Sequence, residues 1–281
     1  MGVNLAALNG TGPEGAVLAV DVLASDPIAA VTTQSDLDER SHTSEASTAG
    51  TTPARDVAIS GRWRVMAERM TASWTTAPHF FLMREVVASG LVELRTRLLP
   101  VVERRVGVRL TYTDLLVKIM AAALTQHPRM LGSWEGASIR AWDEINIGIA
   151  TDTGEALVVP VIHGADALSI GEIAARRAEL VERATAGRLA LDDLARGTFT
   201  LTNLGAYNVD AFNAIINPPQ AAIIAVGRIA DRVVAVDGAP AVRPTVVISL
   251  SCDHRVVDGA RAARFLDDLA ALIEEPWGLL A

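Results

Sequence analysis

The amino-acid sequence predicts an α/β fold with one large mixed sheet. Helix-period and strand-period segments alternate along the chain instead of separating into blocks. Half of the 281 residues are apolar, enough to bury a full core. After Gly197 the pattern turns mostly to strand before one closing helix.

Residues 1–24 run from Gly2-Val3-Asn4-Leu5 through a glycine-rich turn to Asp21-Val22-Leu23, and are too few to fold alone. Residues 25–56 are rich in Ser, Thr, Asp, Glu and Ala with little apolar periodicity, which predicts a flexible linker. A folded domain, 57–281, follows. Arg62 to Ser73 places Val65, Met66 and Met70 at helical spacing, and Ala77 to Val86 reads as a strand entered through Pro78. Leu91 to Val106 and Thr113 to Gln126 are helix candidates, the second closed by His127-Pro128. Ile145 to Ala150 and Leu157 to Ile162 form strands about the turn Asp152-Thr153-Gly154. Ser169 to Ala186 is an amphipathic helix whose Ser169 and Glu172 are spaced as a capping box. Thr198 to Asn203, Ala221 to Gly227 and Thr245 to Cys252 are β-rich, and Ala260 to Glu274 is the closing helix.

Charge and composition narrow the function. The net charge is −8. Residues 1–50 hold seven acidic residues against one base, Arg40, and the remainder is nearly balanced. That distribution excludes a nucleic-acid surface, which needs clustered positive charge. No apolar run reaches the roughly 18 to 20 residues of a membrane helix, and Met1-Gly2-Val3-Asn4 lacks a basic signal start, so no membrane contact and a cytoplasmic location are expected. One cysteine, Cys252, excludes a disulfide framework, and no metal is expected. Lys118 is the only lysine.

The chemistry concentrates in Ser249-Leu250-Ser251-Cys252-Asp253-His254-Arg255-Val256-Val257-Asp258-Gly259-Ala260. Here a strand delivers His254 to a turn just before a helix, so a base is both fixed and reachable. Histidine is the side-chain type suited to taking and returning a proton near neutrality. Cys252, two residues earlier, reads as a buried small residue rather than as a nucleophile paired with His254.

His254-Arg255-Val256-Val257-Asp258-Gly259 resembles the His-x-x-x-Asp-Gly signature shared by chloramphenicol acetyltransferase and the E2 acyltransferases of 2-oxoacid dehydrogenase complexes. Gly197-Thr198-Phe199-Thr200-Leu201-Thr202-Asn203-Leu204-Gly205, Asn217-Pro218-Pro219-Gln220, Pro78-His79-Phe80 and Asn146-Ile147-Gly148 resemble the same family, in consistent order across residues 57–281. The resemblance implies a trimeric chloramphenicol acetyltransferase-like two-layer fold with active sites between subunits. It makes His254 the general base and puts the oxyanion-donating hydroxyl on Thr202, where the family often has serine. Threonine keeps that hydroxyl on a stiffer side chain. Asp258 is implied to hold the histidine loop by an ion pair; an aspartate starting a helix also caps it.

Acetyl-CoA, or another acyl-CoA, is the implied co-substrate. A conventional E2 also carries a lipoyl group on a lysine of a small separate domain. Lys118 lies instead in an apolar helical pattern, so no covalent lipoyl group is expected. Residues 1–24 resemble the end of the family's peripheral subunit-binding domain without its first helix, as a vestige. These features favour a stand-alone O-acetyltransferase acting on a small-molecule hydroxyl, such as a tetronate in natural-product biosynthesis. One alternative is the dihydrolipoamide acyltransferase core of a 2-oxoacid dehydrogenase complex, with that complex's components as partners. A second is an inactive assembly scaffold, against which the presence of both His254 and Thr202 argues. The tail Trp277-Gly278-Leu279-Leu280-Ala281 is apolar but broken by glycine; a trimer is expected, and assembly beyond the trimer is left open by the sequence.

Overall fold

The computed structural model describes residues 55–280. The expected segment 1–24, and all but the last two residues of the expected linker 25–56, lie outside the described residues. The first helix, α1 (Gly61–Thr76), starts where Ser60 accepts a hydrogen bond from the Trp63 N–H at 3.2 Å. It is followed by β1 (His79–Val87), α2 (Ser89–Val106) and α3 (Tyr112–Gln126). Gly107, in the left-handed region at φ 76°, stops α2. Thr111 and Asp114 begin α3 with a capping box.

Short strands come next: β2 (Ser133–Trp134), β3 (Ile139–Arg140), β4 (Ile147–Ile149), β5 (Thr151–Asp152), β6 (Leu157–Val158) and β7 (Val161–Ile162). The last four form one bent hairpin in a single register, Ile147 opposite Ile162 and Asp152 opposite Leu157. Its turn is the expected one, with Gly154 at φ 80°. The break falls at Val159-Pro160, because proline has no N–H for the ladder. Then α4 (Ile170–Thr185) opens with the expected capping box, Ser169 Oγ accepting from the Glu172 N–H while the Glu172 carboxylate accepts from the Ser169 N–H.

The remaining elements are β8 (Phe199–Asn203), β9 (Ala222–Val226), β10 (Ala230–Val236), β11 (Ala239–Asp253) and α5 (Gly259–Glu274). The seven-stranded sheet has the order β1-β11-β9-β8-β4-β7, with β10 added to the first half of β11. The pairs β9–β8 and β8–β4 are parallel and the others antiparallel, so the sheet is mixed as expected. Four helices, α2 to α5, bury their apolar stripes on one face. Phe199 and Phe265 meet there with ring centroids 5.6 Å apart, both fully buried.

A loop covers the opposite face of β11, from Leu204 to Gln220. Gly227 lets it approach, since a Cβ there would stand 1.9 Å from the Asp210 carbonyl oxygen. The sequence reading missed the short β2–β3 pair, β10 and the part of β11 before Thr245. Asp237 and Gly238, at φ 51° and 79°, join β10 to β11 as a two-residue hairpin turn.

Candidate active site

Alternation along β11 sorts its side chains. Ile248, Leu250 and Cys252 face the helices and are buried, whereas Ser249 and Ser251 face the covering loop and donate to Asn213 Oδ1 and the Ala214 carbonyl oxygen. The strand ends at Asp253, and His254 emerges exposed in the turn beyond it. Its N–H donates to the Pro78 carbonyl at 3.0 Å, and the N–H groups of Val256 and Val257 both donate to the Asp253 carbonyl at 3.0 Å. Phe80 lies against the imidazole with centroids 4.8 Å apart. A rigid strand end thus presents a reachable ring.

Asp258 caps α5. Its carboxylate accepts from the Arg261 N–H at 2.8 Å and pairs with the Arg261 guanidinium. Those bonds, the backbone one first, hold its carboxyl below the usual aspartate value. Capping and ion pairing therefore coexist, with a partner one turn along the same helix. Arg129 reaches in from before β2, donating from Nε to the Val256 carbonyl at 3.0 Å.

Thr202 is half-buried near the end of β8. Just past it, Asn203 turns the chain, accepting from the Gly205 N–H at 2.8 Å and donating to Thr113 Oγ1 at 3.3 Å. Thr202 pairs with Ala225, and Ala225 pairs with Ser249. His254 is five residues beyond Ser249, so Thr202 and His254 stand at opposite ends of the sheet. Two strand spacings of about 4.8 Å and five residues at about 3.3 Å put them roughly 20 Å apart within one chain. One chain cannot bring both to one carbonyl.

Cys252 is fully buried on the helix side, and burial, with the Asp253 charge adding, pushes its thiol far up. That is the chemistry of a core residue, not of a thiolate nucleophile. The Lys118 ammonium donates to the carbonyls of Asp166 and Leu168 at 2.8 and 2.7 Å, tying α3 to the entry of α4. Two cavities of about 440 and 680 Å³ lie beside α1, lined by Met66, Met70 and Leu189 and by Trp142, Arg196 and Gln220 respectively. Neither of these two cavities is lined by His254, Thr202 or Asp258. Among the described residues no helix is long and apolar enough to cross a membrane.

Sequence reading passed over Asp253, whose buried carboxylate grips Arg255 at 2.7 Å, and Arg255 itself, stacked 5.5 Å above the Trp134 ring. The signal was there as Asp-x-Arg spacing around the histidine, but only the turn brings the two together.

Residues 51–281 match the family model described as 2-oxoacid dehydrogenases acyltransferase (catalytic domain). A Schizosaccharomyces pombe protein, the mitochondrial dihydrolipoyllysine-residue acetyltransferase component of pyruvate dehydrogenase complex, is 34% identical over 98% of this chain and 58% of its own length. The corresponding Zymomonas mobilis component is 33% identical over 99% of this chain and 63% of its own. The chain thus spans about three fifths of these relatives. An Azotobacter vinelandii dihydrolipoamide acetyltransferase, solved to investigate a serine, a histidine and an asparagine in its catalytic mechanism, is 32% identical. It superposes with a TM-score of 0.78 over 82% of this chain and 95% of its own.

These relatives overturn the expectation of a stand-alone O-acetyltransferase for a small-molecule hydroxyl in natural-product biosynthesis. Lys118, taken as a clue to the acceptor, could not inform it, because the chain spans only about three fifths of relatives whose names give a dihydrolipoyllysine residue as the group acted on. Fold, motif order and similarity over nearly the whole chain agree, and the chain belongs to the acyltransferase catalytic-domain family of the 2-oxoacid dehydrogenases.

Proposed function

We propose that this chain is the catalytic core of a dihydrolipoamide acyltransferase, exchanging an acyl group between CoA and a dihydrolipoyl thiol. In this reading His254 removes the proton from the attacking thiol. The sulfur adds to the thioester carbonyl, and Thr202 of a neighbouring copy donates its hydroxyl hydrogen to the oxyanion. Collapse of the tetrahedral intermediate expels the other thiolate, which takes the proton back from His254. No covalent enzyme intermediate is needed. The placement of Thr202 and His254 at opposite ends of one sheet carries the reading, because a site using both needs two copies, as a closed trimer provides. The Azotobacter vinelandii enzyme supports it, since a serine and a histidine offer the side-chain chemistries of Thr202 and His254. Partnership with other 2-oxoacid dehydrogenase components follows from the same relatives.

The test is acetyl transfer from acetyl-CoA to free dihydrolipoamide. His254→Ala is expected to lower kcat about a thousandfold. Thr202→Val is expected to lower it about a hundredfold, and Thr202→Ser to retain most of it. Co-expressing His254→Ala with Thr202→Val is expected to restore about a quarter of wild-type activity, since random mixing into trimers leaves that share of sites intact. No restoration would place both groups in one chain and overturn the shared site.

A further inference from the structure

His254 is the middle residue of an Asx turn, and the mechanism leaves unassigned the carboxylate that closes it. Asp253 Oδ1 accepts from the Arg255 N–H at 2.9 Å. The same carboxylate takes the Arg255 fork, Nε at 3.0 and 3.2 Å and Nη2 at 2.7 Å. The Asp253 side chain is only 6% exposed and Arg255 31% exposed. A buried carboxylate needs such partners. Here these four bonds go to one residue, across the histidine.

The grip is two-sided. Before the ring, the His254 N–H is held by Pro78; after it, the Arg255 N–H is held by Asp253. Arg255 is fixed in turn over Trp134, from the β2–β3 hairpin. A ring carried on Cβ follows the backbone dihedrals of its residue. Proton transfer tolerates only about 0.5 Å and 10 to 20° of error, so holding those dihedrals bears on rate.

We propose that Asp253 is a positioning residue for His254: its carboxylate sets the turn that aims the imidazole, and Arg255, braced by Trp134, locks that carboxylate. The proposal rests on His254 acting as general base. A pair that served only the fold would lower the melting temperature and leave kcat per folded site alone.

The experiment compares wild type, Asp253→Ala, Asp253→Asn and His254→Ala as assembled enzymes in acetyl transfer to dihydrolipoamide, with kcat normalised to folded protein. Asp253→Ala is expected to lower kcat by about ten- to a hundredfold while KM for both substrates stays within about threefold. Asp253→Asn, whose amide oxygen still accepts from the Arg255 N–H, is expected to recover most of that loss. Equal damage from both variants, or kcat within about twofold of wild type in Asp253→Ala, overturns the proposal. Should Asp253→Ala not assemble, Arg255→Met unlocks the carboxylate. It is expected to lower kcat about fivefold at constant KM, and an unchanged kcat overturns the proposal.

An inactive wild type, or His254→Ala as active as wild type, sinks the general-base reading instead. The positioning role is then read by magnetic resonance of the His254 ring, assigned through its loss in His254→Ala. A displaced or broadened signal in Asp253→Ala, restored in Asp253→Asn, supports it; identical signals in all three overturn it.

Discussion

A single carboxylate, Asp258, caps α5 four residues after His254. Asp258 is held ionised by the Arg261 N–H and guanidinium, so its folded-state pKa lies below the unfolded one. Its contribution is therefore full above the ordinary aspartate range, about pH 4, and is lost as pH falls through the lower folded value. Asp258→Ala is expected to melt earlier than wild type at pH 7, and the gap to close below about pH 4. A gap equal at both pH values would remove the charge from the account. Asp258→Asn keeps the cap and should lose less at pH 7. At this scale His254 was legible in the sequence, because a strand running into a helix start fixes where a turn residue must stand. The Arg261 partner was not, since i,i+3 pairing depends on α5 beginning at Gly259 and on the rotamers chosen there.

Between elements, one buried ion pair joins two helices in a way the sequence hid. Asp114, whose side chain is fully buried at the start of α3, receives Arg177 of α4 through Nε at 2.9 Å and Nη2 at 3.1 Å. Arg177→Met leaves that carboxylate buried without its counter-ion and is expected to cost about 3 kcal/mol in urea unfolding. Adding Asp114→Asn should recover part of the loss, a coupling that independent sites would not show. Element boundaries were otherwise largely legible, including the Ser169 box and the bent hairpin about Gly154. The β10–β11 hairpin was missed because Pro240 and Pro244 disguise a strand. They are tolerated where β11 has β10 on one side and no ladder partner yet on the other. Asp237-Gly238 between two valine-rich runs was the available signal.

At the scale of the whole molecule, the crossover from β8 through β9 to β11 separates two motifs that the sequence reading joined in one reaction. Sequence order shows both motifs but no strand order, so the roughly 20 Å between them was invisible until the register was known. Dilution that separates the copies should therefore abolish acetyl transfer while each chain stays folded, checked by activity and circular dichroism at matched concentrations. Activity persisting in single chains would refute the shared site. One more property of the molecule concerns the acyl-CoA proposed as its substrate. An activated thioester acylates free amines, and within these 281 residues the only side-chain amine is Lys118, whose ammonium is occupied by two carbonyl groups between α3 and α4. Prolonged exposure to acetyl-CoA should leave the side chains of this segment unacetylated by mass spectrometry; acetylation of Lys118 would show that its two carbonyl contacts do not shield it. Through the side chains of this segment, amine-directed cross-linkers have only that hydrogen-bonded lysine to attack, whereas its many carboxylates and arginines suit reagents directed at those groups.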